Sequence, residues 1–196
     1  MTNQLPTLHN LKVWNCSITS SCPKCGLDQI NKHVLSNCSS PDALSRYTDR
    51  HNRILELIAK WIVSQLKSNH FLYCDLSVPG ARPVCDLFNG FRPDLAIVSA
   101  SKIVVGELTI CHEINLIKSR DYKLRKYLNL EAARSAEFSR RAVLVHTIEI
   151  STLGFLVAEP NFFINGGIPN FDSLLVKELS KTAVLASKSI YDSRNT

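Results

Sequence analysis

The sequence predicts a mixed α/β layer domain, a sheet flanked by helices, preceded by a small cysteine- and histidine-rich segment. Three observations carry that prediction. Two runs, Arg92–Val98 and Lys102–Ile110, alternate on a period of two, with a polar break between them. Long stretches on either side carry apolar residues at helical spacing. Cys22, Cys25, His33 and Cys38 crowd into residues 21–40.

The chain has 196 residues, of which 45% are hydrophobic. That length suits one domain of ordinary size, or one domain plus a small appendage, and it is enough to bury a core. The apolar runs fall far short of a membrane span, so no membrane partner is expected. Met1–Pro6 has neither a basic nor an apolar leader region, and no signal peptide is expected. The net charge of +6 favours an anionic partner such as nucleic acid. Seven cysteines is an odd number. Without a secretory signal, metal binding or burial explains them better than a disulfide framework.

In chain order, residues 1–20 read as an extension whose Leu8, Leu11, Val13 and Trp14 let it dock on the rest of the chain. Residues 21–40 form a knuckle with the spacing C-x2-C-x7-H-x4-C, Cys22 to Cys38. A Cys-x-x-Cys turn points two thiolates at one place, and His33 and Cys38 complete a tetrahedral structural Zn²⁺ site. A redox pair is the alternative, but it needs no downstream His and Cys. A knuckle this small couples folding to metal binding. It is either purely structural or a contact for single-stranded nucleic acid.

Residues 41–196 form the main domain. Ser40-Pro41-Asp42 supplies an N-cap, a first-position proline and a first-turn acid. The helix they open is expected to reach about Ser68, with Leu44, Ile54, Leu55, Ile58, Trp61, Ile62 and Leu66 as its core stripe. Arg46, Arg50 and Arg53 share one side, either a phosphate contact or a solvated face. Phe71–Leu76 reads as a short strand and Pro79–Pro83 as a turn. A turn centred on Ala100-Ser101 then sets Asp94 opposite Glu107, with Cβ atoms roughly 5 Å apart. Like charges so placed share a divalent cation; the alternatives are two solvated acids on a surface hairpin, or a register in which they never meet.

A helix is expected from about Leu116 to Arg140, with Lys123, Lys126, Tyr127 and Leu130 on one face. Arg141–Ile150 reads as a buried strand. Gly154–Asn170 reads as a loop holding Phe162 and Phe163. A last amphipathic helix is expected from about Asp172 to Tyr191.

An acid after proline on one strand and an acid on the next, in this element order, resembles the PD-(D/E)xK nuclease superfamily with its restriction-endonuclease-like fold. Together with the knuckle, Arg50-His51-Asn52, Arg92-Pro93-Asp94, Glu107 and Lys123-x-x-Lys126-Tyr127, the chain resembles the C-terminal region of site-specific non-LTR retrotransposon polyproteins. The resemblance covers nearly everything from Leu5 on. It implies a restriction-like DNA endonuclease in the nucleus that nicks target DNA for target-primed reverse transcription. It also implies a fragment whose partners are DNA, possible RNA, and the reverse transcriptase region of a longer polyprotein.

The resemblance also implies residue roles. Asp94 and Glu107 hold Mg²⁺ or Mn²⁺. A lysine commonly lies two residues after the second acid, but here that position is Thr109. In the retrotransposon branch the lysine comes from the next helix, which points to Lys123 or Lys126, with Tyr127 beside them. Glu113 is an additional acid, and His51 and Asn52 match the helix motif. Two other readings remain: a nucleic-acid-binding remnant without activity, and a zinc-held interaction domain.

Overall fold

The structure, a computed structural model, describes residues 5–158, 161–168 and 173–195. A six-stranded mixed sheet, with helices on both faces, follows the Cys/His-rich segment. In chain order the elements are α1 (Leu8–Val13), α2 (Pro41–Gln65), β1 (Phe71–Cys74), β2 (Arg82–Pro83), β3 (Leu95–Val98) and β4 (Lys102–Cys111). Then come α3 (Leu116–Lys126), β5 (Ala142–Ser151), β6 (Leu156–Ala158), α4 (Asn161–Asn165) and α5 (Ser173–Asp192). The sheet order is β2-β1-β3-β4-β5-β6; β4 and β5 run parallel, and β3 is antiparallel to both of its neighbours.

The two faces bury separate cores. On one, Leu72, Ile97, Val104, Leu108 and Ile150 pack against Ile54, Leu55, Ile58 and Ile62 of α2 and against α4 and α5. On the other, Tyr73, Ala96, Val98, Ile103 and Val105 pack against Leu87, Phe88, Tyr127, Leu130 and Phe138. Each fully buried Ile or Leu contributes roughly 1.5–3 kcal/mol. Gly106 is needed on β4 because a Cβ there would lie 2.7 Å from the Phe162 ring. Among the described residues, no helix is long and apolar enough to cross a membrane.

Several expectations are corrected. The helix after β4 stops at Lys126 rather than near Arg140. Past that point the backbone is held by the segment before β3: Asn89 N–H donates to Ala133 O (2.8 Å), and Ser135 N–H donates to Leu87 O (2.9 Å). Those tertiary bonds, with Tyr127 and Leu130 buried, outweigh local helix preference. The expected loop Gly154–Asn170 contains β6 and α4, and Phe162 and Phe163 are buried in the core; residues 159–160 and 169–170 lie outside the described residues. The first strand ends at Cys74, and α2 ends at Gln65. Leu44 is exposed rather than core. The last helix runs Ser173–Asp192; Asp172 lies outside the described residues.

Arg50 is a further correction. It is 2% exposed, between α2 and α5, and so is neither on a solvated face nor free to meet phosphate. It donates to Ser187 Oγ (3.0 Å) and Ile110 O (3.4 Å). Burial lowers its pKa to about 10, so it remains charged at neutral pH. Arg50→Ala should cost about 2 kcal/mol or more in urea unfolding, through a cavity and two unpaired acceptors. An unchanged unfolding midpoint would rule that role out.

Candidate functional site

Pro93 has no N–H to give and Asp94 gives its own to a side chain, and the ladder of β3 begins at Leu95. Asp94 therefore lies at the end of β3, and the register Leu95 with Gly106 and Ala96 with Val105 continues to place Asp94 beside Glu107. Backbone and side chain interlock there. Asp94 N–H donates to Glu107 Oε1 (3.0 Å), and Leu108 N–H donates to Asp94 Oδ2 (2.8 Å). Asp94 is 9% and Glu107 1% exposed, so two carboxylates are buried together.

Two basic side chains meet them. Lys123 reaches from α3 with Nζ 2.6 Å from Glu107 Oε2 and 3.9 Å from Asp94 Oδ2. His51 reaches from α2 with Nε2 3.4 Å from Asp94 Oδ2, and its Nδ1 faces Asn52 Oδ1 at 3.4 Å. Burial and the neighbouring Asp94 charge raise the Glu107 pKa, against the pull of Lys123. Burial also pushes Asp94 up, but its hydrogen bond to His51, with the charges of His51 and Lys123, outweighs burial and leaves its pKa lowered. For Lys123 and His51, burial disfavours the charged form, and the facing carboxylates outweigh it, so both pKa values are raised.

The other expected residues divide. Tyr127 is buried next to the pair, and its hydroxyl donates to Arg92 O (3.3 Å). Burial and the Glu107 carboxylate hold that hydroxyl protonated. Lys126 turns to the Tyr127 hydroxyl (3.0 Å) rather than to the acids. Glu113 is not brought to the pair: it lies beyond the end of β4, accepts from Leu153 N–H (3.3 Å) and faces His112 (3.4 Å). Thr109, two residues after Glu107, has its Oγ1 buried without a hydrogen-bond partner.

One acid escaped sequence reasoning. Glu149, paired with Thr109 across β4 and β5, is 2% exposed, with Thr147 on its own strand as the side chain nearest to answering its carboxyl group. Burial raises its pKa. Its position inside an apolar run was the available signal, because an acid within a buried strand has to be held neutral or paired.

At the N-terminal end of α2, Cys22, Cys25, His33 and Cys38 converge, with their potential ligand atoms all within 4.8 Å of one another. Cys22 Sγ lies 4.0 Å and Cys25 Sγ 3.8 Å from Cys38 Sγ, and Cys25 Sγ lies 3.3 Å from His33 Nε2. Two thiolates at tetrahedral corners about 2.3 Å from a zinc stand about 3.8 Å apart, so the donor set and spacing fit Zn²⁺. The cluster can hold a zinc ion. Gly26 takes φ 79° to close the turn. Burial lowers the His33 pKa and keeps the imidazole neutral, the form that ligates. Tyr47 of α2 ties the loop down: its hydroxyl donates to Val34 O (2.8 Å) and accepts from Cys38 N–H (3.2 Å). The N-terminal extension docks here too, with Leu8 N–H donating to Gln29 Oε1 (2.9 Å).

No protein-family model matches the chain, and no curated protein sequence matches it.

Proposed function

We propose that the chain is a metal-dependent DNA endonuclease with a restriction-like fold over residues 41–196 and a zinc knuckle over residues 21–40. The single observation that supports this most is the buried pair of Asp94 and Glu107 with Lys123 and His51 against it. Two hard carboxylate oxygens facing a common point, with an ammonium already drawn between them, suit a divalent cation such as Mg²⁺ or Mn²⁺. Such a cation, when bound, activates water and polarises the phosphodiester.

The chain's own residues do the rest. Leu108 N–H and His51 fix the Asp94 carboxylate, and Asp94 N–H fixes that of Glu107. Lys123 supplies positive charge beside the acids, where an anionic phosphate would otherwise be repelled. Of the two candidate lysines it is the better placed, because Lys126 is spent on Tyr127. Hydrolysis adds water across one P–O bond and frees a 3′-hydroxyl. In a non-LTR retrotransposon that end would prime reverse transcription in the nucleus, with the polymerase region and its RNA as partners. Thr109 favours a second reading, in which the chain binds nucleic acid without cutting it.

Nicking of supercoiled plasmid by zinc-loaded protein tests the choice. Mg²⁺ or Mn²⁺ should support nicking and Ca²⁺ should not, and Lys123→Ala should lower the rate by about 10² or more. Plasmid binding without nicking under any of these ions would favour the second reading.

A further inference from the structure

Beside the acid pair two open clefts, of about 380 and 370 Å³, share Thr109 and Lys123 and so form one groove across the end of β4. One wall is α3, with Lys118, Tyr122 and Lys123; the other is the metal-loop residue Lys32 and, further along, His51 of α2. No aspartate or glutamate lines either cleft. Among the described residues, neither Lys32 nor Lys118 has an ion-pair partner. Tyr122 is 68% exposed, standing on the rim in line with Lys118 and Ser119 along α3.

We infer that this groove binds a single strand of DNA, gripped between the metal loop and α3, and leads it to Lys123 and the acid pair. Lys32 and Lys118, with no ion-paired acid, complement a phosphate backbone, and Lys123, held by Glu107, marks where the track meets the acid pair. An exposed aromatic beside such a track is a stacking platform for an unpaired base, which a duplex cannot offer. Each cleft has the size of a pocket for a small ligand, the scale of a nucleotide unit rather than a double helix. The identity of the nucleic acid as DNA rests on the endonuclease reading; the groove's preference for a single strand does not.

The test is fluorescence anisotropy of zinc-loaded protein with a labelled twelve-nucleotide DNA strand in Ca²⁺, with plasmid nicking in Mg²⁺ measured in parallel. Removing both Lys32 and Lys118 as alanines should weaken binding about tenfold and reduce the log–log salt slope by about 1.4, about 0.7 for each phosphate contact. Tyr122→Ala should weaken it at least about fivefold. The paired control, Lys177→Ala with Lys181→Ala on the exposed face of α5, removes the same charge outside the groove and should leave binding unchanged. Equal losses in both pairs, or tighter binding of the matching RNA strand, would overturn the proposal. Wild type that nicks while the groove variants bind the strand normally defeats the groove and leaves the nuclease standing. Wild type that never nicks while the groove variants lose the strand does the reverse.

Discussion

Glu107→Gln should lower metal-dependent nicking by at least about 10²–10³-fold while the protein melts at or above the wild-type temperature. The activity loss follows from deleting one of two preorganised anionic groups at the place where the cation would be held. Survival of the fold follows from geometry. The amide oxygen of Gln can still accept from Asp94 N–H, as Glu107 Oε1 does now. The substitution also removes one of two buried like charges. Burial and Asp94 raise the Glu107 pKa above its unfolded value. A raised carboxyl favours folding fully only below about pH 4.3, the unfolded value, and loses that contribution as pH rises through the folded value. Gln does not ionise and escapes that loss at neutral pH. Asp94→Asn is the companion variant, because it keeps an acceptor for Leu108 N–H. Initial rates of conversion from supercoiled to open-circular plasmid, with a thermal melt of each variant, decide the matter. Glu107→Gln nicking within a few-fold of wild type would remove the acid pair from the chemistry.

Removing the metal should unfold residues 21–40 and leave the sheet intact. Structural zinc in small finger peptides contributes on the order of 10–16 kcal/mol of apparent binding free energy, which there is folding free energy. Around the ligands this loop's own buried cluster is only Cys22, Cys38 and Ala43, and its other buried apolar side chains, Val34 and Leu35, lie in the turn that carries His33. The sheet, by contrast, rests on two cores that do not include the ligands. Cys38→Ser should have the same effect, since Cys38 Sγ stands next to both other sulfurs. The first turns of α2 should loosen with it, because Tyr47 anchors to His33 O, Val34 O and Cys38 N. Cobalt titration should give one equivalent and the visible bands of a tetrahedral thiolate site. Hydrogen exchange after chelation should rise over 21–40 and stay slow in β4. Full protection of 21–40 without metal would sink the prediction.

The legible parts of the molecule were those whose signal is local. The two period-2 runs and the short polar break between them already fixed the β3–β4 register, because a tight turn leaves few alternatives. The Ser40-Pro41-Asp42 start of α2 is where the sequence put it, with Ser40 Oγ accepting from Ala43 N–H (3.3 Å). The spacing of Cys22, Cys25, His33 and Cys38 brought four ligands together because a Cys-x-x-Cys turn and one helical turn each act within a few residues. The early end of α3 was not legible. The bonds that stop it come from Leu87 and Asn89, dozens of residues upstream, and no helix-stop signal stands at Tyr127.

By itself, then, the sequence determined the mixed α/β class, the Cys/His cluster that could hold a metal and the pairing of Asp94 with Glu107, all of which depend on short-range spacing. Only the tertiary structure decided which distant side chains join that pair. Lys123 and Lys126 share one face of a helical wheel, about 60° apart, yet the packing of α3 on β4 and β5 aims Lys123 at Glu107 and leaves Lys126 on Tyr127. His51 and Arg50 are neighbours on α2, yet one faces Asp94 and the other is buried against α5. Consecutive helix residues point about 100° apart, and which of them meets the site is set by how the helix lies on the sheet.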